Sequence, residues 1–452
     1  MNEREKREEI YSEVLKRLAL TPEEEERLRS TVDYIIDAVR REAETTEMPV
    51  EPVLVGSVAK DTWAGEPDID IFMLFDPSIS KELMEDWGLR TGKKILDDWE
   101  ERYAEHPYVH GHLNGFEVDM VPAYKVRITE KQGIISSVDR TPLHTDFVIN
   151  HLKMGQRDEV RLLKRFMKGI GTYGADVRTE GFSGYLCELL IIRYGDFESV
   201  LGASESWKYG LTLSMDEIKK IKRFNEPLVF IDPVDAGRNV ASALSLESMS
   251  RFIHAAREFL SSPDIRFFFP HERTALSESD LTARYKKRGT DIILITAPKP
   301  DIIDDILFPQ IKRLLRMSVK ALKSEDFVPI GTAYEVDRDR IYMILELESS
   351  ALPQMKKHEG PPVWVKNSAD FLERWKGNCL NGPYIEEGRW FADIKRRYND
   401  AVEFLQERFS GPLGKGLPPA EKIERLENFS EITEGLSLLL TEYLDRKFPW
   451  EQ

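Results

Sequence analysis

Three aspartates carry the first chemical information in this chain. Asp68 and Asp70 belong to the run Asp-Ile-Asp-Ile-Phe-Met-Leu-Phe, and Asp119 to Phe-Glu-Val-Asp-Met-Val. Side chains alternate along a strand, so Asp68 and Asp70 share one face while Ile69 and Ile71 turn toward a core. In the second run Phe116, Val118 and Met120 take the apolar face, which leaves Glu117 and Asp119 opposite. If the two strands are neighbours, three or four carboxylates converge. Crowded carboxylates raise one another's pKa unless a proton or a cation bridges them. The chemistry that needs such a cluster is two-metal phosphoryl transfer. Mg²⁺ takes hard oxygen ligands from separated segments, and a pair of ions activates an attacking hydroxyl and stabilises the leaving phosphate. An Asp-x-Asp pair alone also suits the solvated face of an edge strand, so its surroundings must decide.

Those surroundings favour a nucleotide. Val53-Leu54-Val55 reads as a short strand ending at Gly56-Ser57, where a helix is expected to begin. Glycine allows close backbone approach, helix-start N–H groups suit phosphate oxygens, and the Ser57 hydroxyl adds a donor. From Lys81 to about Glu105 the spacing of Leu83, Trp87, Ile95, Trp99 and Tyr103 predicts one long helix. Two strands then flank Asn114-Gly115, the dipeptide of a two-residue hairpin turn. Gly-Ser, Asp-x-Asp, a helix and a hairpin bearing Asp119 together read as nucleotidyltransferase-like.

The remaining elements follow from periodicity. Thr21-Pro22-Glu23-Glu24 supplies an N-cap, a first-turn proline and a capping-box glutamate ahead of Leu28, Val32, Ile35 and Val39. Val160, Leu163, Met167 and Ile170 lie on one helical face, and Phe182 to Tyr194 is apolar nearly all round, as a buried helix would be. Further on, strands are expected over Asp291 to Thr296, Ile341 to Leu347 and Val363 to Val365, a helix over Pro309 to Lys323, and a linker near 409–420. Three regions emerge, at 1–150, 151–262 and 263–452. The fold class is multidomain α/β.

Composition bounds the rest. The 452 residues are 41% apolar and 32% charged, enough for two to four globular domains at roughly 100–200 residues each. No run approaches the roughly 18 apolar residues of a membrane span and no secretory leader is recognisable, so a cytoplasmic protein is expected. Only Cys187 and Cys379 occur, which excludes a disulfide framework and a cysteine-built zinc site. Any metal must therefore be held by oxygen or histidine. Of the net charge of −16, residues 1–150 carry −14 and the remainder −2. An acidic cluster inside an acidic region needs cations, while nucleic-acid phosphates would find lysine and arginine in the later regions.

The motifs resemble those of the class I, archaeal-type CCA-adding tRNA nucleotidyltransferases, members of the polymerase-β-like superfamily. The similarity runs through Gly56 to Trp63, Asp68-Ile69-Asp70, Arg102 to Gly111, Val118 to Pro122 and Ser137 to Pro142. It continues in Gly181 to Glu188, Asp232 to Asp235, Lys299 to Asp305, Asn381 to Pro383 and Gly388 to Trp390. It thus spans nearly the whole chain. The resemblance implies a polymerase-β-like catalytic domain, a central helical domain and a C-terminal RRM-like (ferredoxin-like) domain with a tail. It implies addition of C, C and A to tRNA from CTP and ATP with two Mg²⁺ ions, in a protein that is plausibly a homodimer. Asp68, Asp70 and Asp119 would be the catalytic metal ligands. The family's first metal position is associated with glutamate, and this chain has Asp68 there.

Around the incoming nucleotide the resemblance places Gly56, Ser57, Lys60, His144, Lys164 and Tyr173, with Arg238 at the base. By its residues alone, Lys164 is equally a stem packed along an apolar stripe, and Arg238 a surface ion pair. For RNA, Lys312, Arg316, Lys320 and Lys323 line one face of the helix expected at 309–323. Arg284 to Arg288 and Lys395 to Tyr398 are further basic clusters. A poly(A) polymerase of the same fold and a catalytically inactive RNA-binding scaffold remain the alternatives.

Overall fold

The computed structural model describes residues 3–103, 105–125, 138–216, 224–430 and 432–452. Ala104 and Ser137 of the motif segments lie outside the described residues. The chain forms two compact units, Met1–His271 with Phe448–Gln452, and Glu272–Lys447. The first unit thus spans both regions that the sequence divides at residue 150, and it takes the last five residues as well.

In the first unit, α1 (Glu3–Leu18) and α2 (Pro22–Thr45) precede β1 (Val50–Val55), the single-turn α3 (Gly56–Lys60) and β2 (Ile69–Phe75). Then come α4 (Lys81–Ile95), β3 (Asp97–Tyr103), β4 (Pro107–Leu113) and β5 (Phe116–Tyr124). The capping box at Thr21 forms: Glu24 N donates to Thr21 Oγ1 and Thr21 N donates to Glu24 Oε2. The strands make one sheet in the order β1-β2-β5-β4-β3, with β2 and β5 parallel and the other pairs antiparallel. Ile69, Ile71, Val118 and Met120 are fully buried against α2 and α4, as their alternation requires. The turn Asn114-Gly115 takes φ of +52° and +83°, the geometry for which Asn-Gly is favoured.

The helix expected to reach Glu105 stops at Ile95. Leu96 is extended, and residues 97–103 pair with β4 as an edge strand whose side chains all face solvent. Trp99 and Tyr103 do repeat at helical spacing, but both stay exposed, with no apolar core to pack on. Asp97, Asp98, Glu100 and Glu101 guard that edge against further pairing.

The rest of the unit is helical: α5 (Thr141–His151), α6 (Gln156–Gly169), α7 (Gly184–Tyr194), α8 (Phe197–Ser204), the short parallel pair β6 (Leu211–Leu213) and β7 (Leu228–Phe230), and α9 (Leu246–Ser261). Phe166 is fully buried among the rings of Phe197, Phe252, Phe259, Phe267 and Phe268. Trp450 from the C-terminus stacks on Phe267 and donates to Glu258 Oε2 at 2.7 Å.

The second unit begins with α10 (Glu278–Arg288). Its main sheet is built from β8 (Asp291–Pro298), β9 (Pro329–Val336), β10 (Arg340–Leu347) and a later strand, with α11 (Asp304–Ser324) between β8 and β9. A small sheet of β11 (Met355–Pro362), β12 (Asn381–Glu386) and β13 (Arg389–Lys395) carries α12 (Ser368–Trp375). After α13 (Ala401–Arg408) the hairpin β14 (Pro412–Gly414) and β15 (Leu417–Pro419) leads to β16 (Lys422–Arg425) and α14 (Glu434–Leu444). The antiparallel order β16-β8-β10-β9, with α11 and α13 as its two connecting helices, is the βαββαβ arrangement of ferredoxin-like folds.

Three local expectations change here. Pro309 sits in the second turn of a helix that starts at Asp304, where it forgoes one backbone bond without ending the helix. Val363 to Val365 form a turn after β11, closed by Val365 N donating to Pro362 O. The linker-like stretch is a hairpin whose Leu413 and Leu417 are buried in the core of this unit.

Candidate active site

Strand register assembles the carboxylates. Val55, Asp70, Asp119 and His110 stand opposite one another on four consecutive strands. Residues paired across a sheet point to the same face, so Asp70 and Asp119 meet there, and Asp68, one residue ahead of β2, joins them by alternation. Burial, then the charges of Asp119 and Asp68, push the Asp70 carboxyl up to about 7. Asp68 is raised in the same direction, chiefly by burial and then by Glu117. His110 Nδ1 lies 2.7 Å from Asp119 Oδ1, where the imidazole N–H donates to the carboxylate. Among the described residues no three acidic, histidine or cysteine side chains already surround a single point.

Gly56 fixes how near the backbone comes to this cluster. Its φ is +72°, and a Cβ built on it would fall 1.9 Å from Asp70 Oδ2. Ser57 follows it in the single turn of α3, at the edge of the same site.

The lysines gather one layer deeper. Lys60 Nζ lies 2.7 Å from Glu188 Oε2, and Lys164 Nζ 2.8 Å from Glu188 Oε1. Lys164 also donates to the Thr62 carbonyl and hydroxyl, both at 3.1 Å, and Thr62 Oγ1 donates to Glu188 Oε1 at 2.7 Å. Glu188, Lys164 and Lys60 are all buried. Burial alone would raise the Glu188 carboxyl, but Lys164 and Lys60 outweigh it and hold it at about 2. The Tyr173 hydroxyl reaches the same place: a Cβ on Gly184 would stand 3.0 Å from it and 3.5 Å from Lys164 Nζ.

A third group surrounds Asp232, whose side chain is fully buried. His144 Nε2 and Arg238 Nη1 each approach Asp232 Oδ2 at 2.9 Å, and Val234 N donates to Oδ1 at 3.0 Å. Burial raises this carboxyl, yet the hydrogen bond and charge of His144, with help from Arg238, bring it below its ordinary value. The His144 ring stacks on Tyr185 at 4.0 Å. Tyr185 and Glu188 are one turn apart on α7, so this helix serves both groups. The structure therefore brings Asp68, Asp70 and Asp119 together beside Gly56, Lys60 and Lys164 together with Tyr173, and His144 together with Arg238.

Sequence reasoning assigned no role to Glu188, Asp232 or Tyr185. A signal for the first existed, since Glu188 is the single acid in α7 and is flanked by apolar residues on both sides.

In the second unit Arg316, Lys320 and Lys323 are exposed on α11 and Lys312 is half-buried, opposite Ile311, Leu314, Leu315 and Leu322. Arg288, from the basic run on α10, is instead held in a two-pronged bond to buried Glu346 at 2.6 and 2.7 Å.

The Asp70 shift has a testable sign. An unfolded Asp70 titrates near 3.8 and the folded one near 7, so between these values the folded chain binds the extra proton. In chelator-treated protein this stabilisation is complete below about pH 4 and lost as the pH rises through 7. Melting temperatures at about pH 5 and pH 7.5 should fall more steeply for the parent than for Asp70→Asn. Equal slopes would show that Asp70 ionises normally.

Comparison with known proteins covers most of the chain. Profiles described as nucleotidyltransferase domain, tRNA nucleotidyltransferase second domain, and CCA-adding enzyme C-terminal domain match residues 32–144, 158–269 and 288–426. A CCA-adding enzyme of Thermoplasma acidophilum is 41% identical over 95% of this chain and 97% of its own. Those of Methanosarcina barkeri and Methanocaldococcus jannaschii are 39% and 37% identical, over 93% and 90% of this chain and 94% and 91% of theirs. With a nucleotidyltransferase domain at its front and this similarity over nine-tenths or more of its length, the chain belongs to the family of CCA-adding enzymes, which are nucleotidyltransferases.

Proposed function

We propose that this protein adds C, C and A, without a template, to the 3′ end of tRNA, using CTP and ATP. The observation that carries the reading is the Asp70–Asp119 pair in register beside Gly56, in a chain aligned along its length with CCA-adding relatives. The donor set fits divalent cations. Asp68, Asp70 and Asp119 offer hard oxygens, and the Asp70 carboxyl, raised by burial and then by Asp119 and Asp68, would be relieved by a cation. Two Mg²⁺ ions are the proposed occupants. When bound, they supply charge stabilisation at the transferring phosphate and lower the pKa of the attacking hydroxyl.

The chain's own residues do the rest. Asp119, oriented by His110, faces the 3′-hydroxyl of the RNA, while Asp68 and Asp70 hold the triphosphate side. Lys60, Lys164 and Tyr173 orient phosphate oxygens, with the Gly56-Ser57 backbone closing on them. His144 and Arg238 take the nucleotide farther from the reacting phosphorus, where the guanidinium fork suits acceptor edges of cytosine and adenine and phosphate oxygens of RNA. The exposed cations of α11 are the proposed RNA surface, one that reads backbone and shape. A homodimer is proposed as the working assembly.

The test is incorporation of each labelled NTP, with Mg²⁺ and no template, into tRNA transcripts ending before CCA, after C and after CC. Addition of C, C and A followed by arrest is expected. Long runs of A would make the protein a poly(A) polymerase, and tight RNA binding without incorporation would make it a scaffold.

A further inference from the structure

Glu188 has no place in the chemistry above, yet it is the most enclosed charged group near it. Its side chain is fully buried on α7 and bonded through both oxygens, Oε2 to Lys60 and Oε1 to Lys164 and Thr62. These partners come from two distant segments: Lys60 at the end of α3 with Thr62 just behind it, and Lys164 from the middle of α6. Each ammonium would be costly to bury alone. One carboxylate is thus shared by two lysines in a site shielded from water.

Burial lowers the Lys60 pKa and the Glu188 carboxylate offsets it in part, while the Tyr173 hydroxyl stands beside Lys164. The cluster is held by hydrogen bonds at 2.7–3.1 Å next to the proposed nucleotide site. Preorganised charge costs no rearrangement when an anion arrives, which is why it discriminates strongly by ligand charge.

We propose that Glu188 is a positioning residue for the triphosphate: it holds Lys60 and Lys164 as a single cationic clamp that recognises the β- and γ-phosphates of the incoming nucleotide. The inference rests on the nucleotidyltransferase reading of the site. Without Glu188 the two ammonium groups repel each other, and one of them must turn away or give up its proton. Recognition of the triphosphate then falls while recognition of base and ribose stays.

The readout is the ratio of ATP to AMP affinity, measured by calorimetry on the full chain, alongside the melting temperature. Glu188→Gln keeps the shape and removes the charge, and is expected to weaken ATP at least tenfold while changing AMP less than twofold. Thr62→Val, which leaves every charge in place but removes one bond to Glu188 and one to Lys164, is expected to show the same selectivity at threefold or more, and it decides the matter should Glu188→Gln fail to fold. Equal losses for ATP and AMP, or none in a folded variant, would overturn the role of Glu188. A parent protein that does not prefer ATP to AMP would instead overturn the nucleotide site itself.

Discussion

Asp70→Ala is expected to abolish nucleotide addition, by on the order of 10³-fold or more in kcat, while tRNA binding persists and the metal-free protein melts at the same or a higher temperature. The scale follows from metal sites, where loss of even an outer partner costs roughly 10- to 100-fold and a direct ligand more. The stability half of the expectation comes from the carboxylate itself. Asp70 is raised to about 7 by burial and by Asp119 and Asp68, so in the absence of a cation its ionised form works against folding. Removing it relieves that repulsion, a trade between activity and stability common at active sites. Single-turnover incorporation, RNA affinity and melting with and without Mg²⁺ check all three parts. Full turnover by the variant would refute the mechanism, and loss of RNA binding together with activity would point to misfolding.

Gly56→Ala is expected to cost at least about 100-fold in kcat with little change in RNA affinity. Two effects combine. At φ +72° an L-residue with a Cβ is strained by roughly 1–2 kcal/mol, which touches stability alone. The second effect is local: the new methyl would stand 1.9 Å from Asp70 Oδ2. Asp70 cannot retreat, because β2 is locked in register between Val55 and Asp119. The carboxylate must swing instead, and a displacement of about 1 Å among reacting groups can cost about 100-fold. Gly115→Ala separates the two effects. Its φ is +83° but a Cβ there meets nothing within 4 Å, so it should lose comparable stability and keep its activity. Equal activity losses in both variants would assign the effect to backbone strain.

Much of the catalytic face was legible before any coordinates. The alternation of Asp68-Ile69-Asp70-Ile71 and of Phe116 to Met120, and the Asn114-Gly115 turn, are local patterns with local causes, and the structure follows them. Periodicity misled where a pattern lacked a surface to pack on. Trp99 and Tyr103 repeat like a helix, yet the edge of β4 offered backbone partners and the chain took those instead.

The division of labour falls between local and distant forces. From the sequence alone came the strands, the shared face of the carboxylates and the family's motifs, because strand alternation, capping and turn geometry act over a few residues. Tertiary structure alone decided that Asp70 stands opposite Asp119, that Lys60 and Lys164 share Glu188, that Asp232 holds His144 and Arg238, and that Trp450 returns to the first unit beside Glu258. Apart from Arg238, six residues from Asp232, these partners lie 24 or more residues apart and meet only through the packing of whole elements. Burial in a shared low-dielectric interior then sets the charge state of each, which no local pattern encodes.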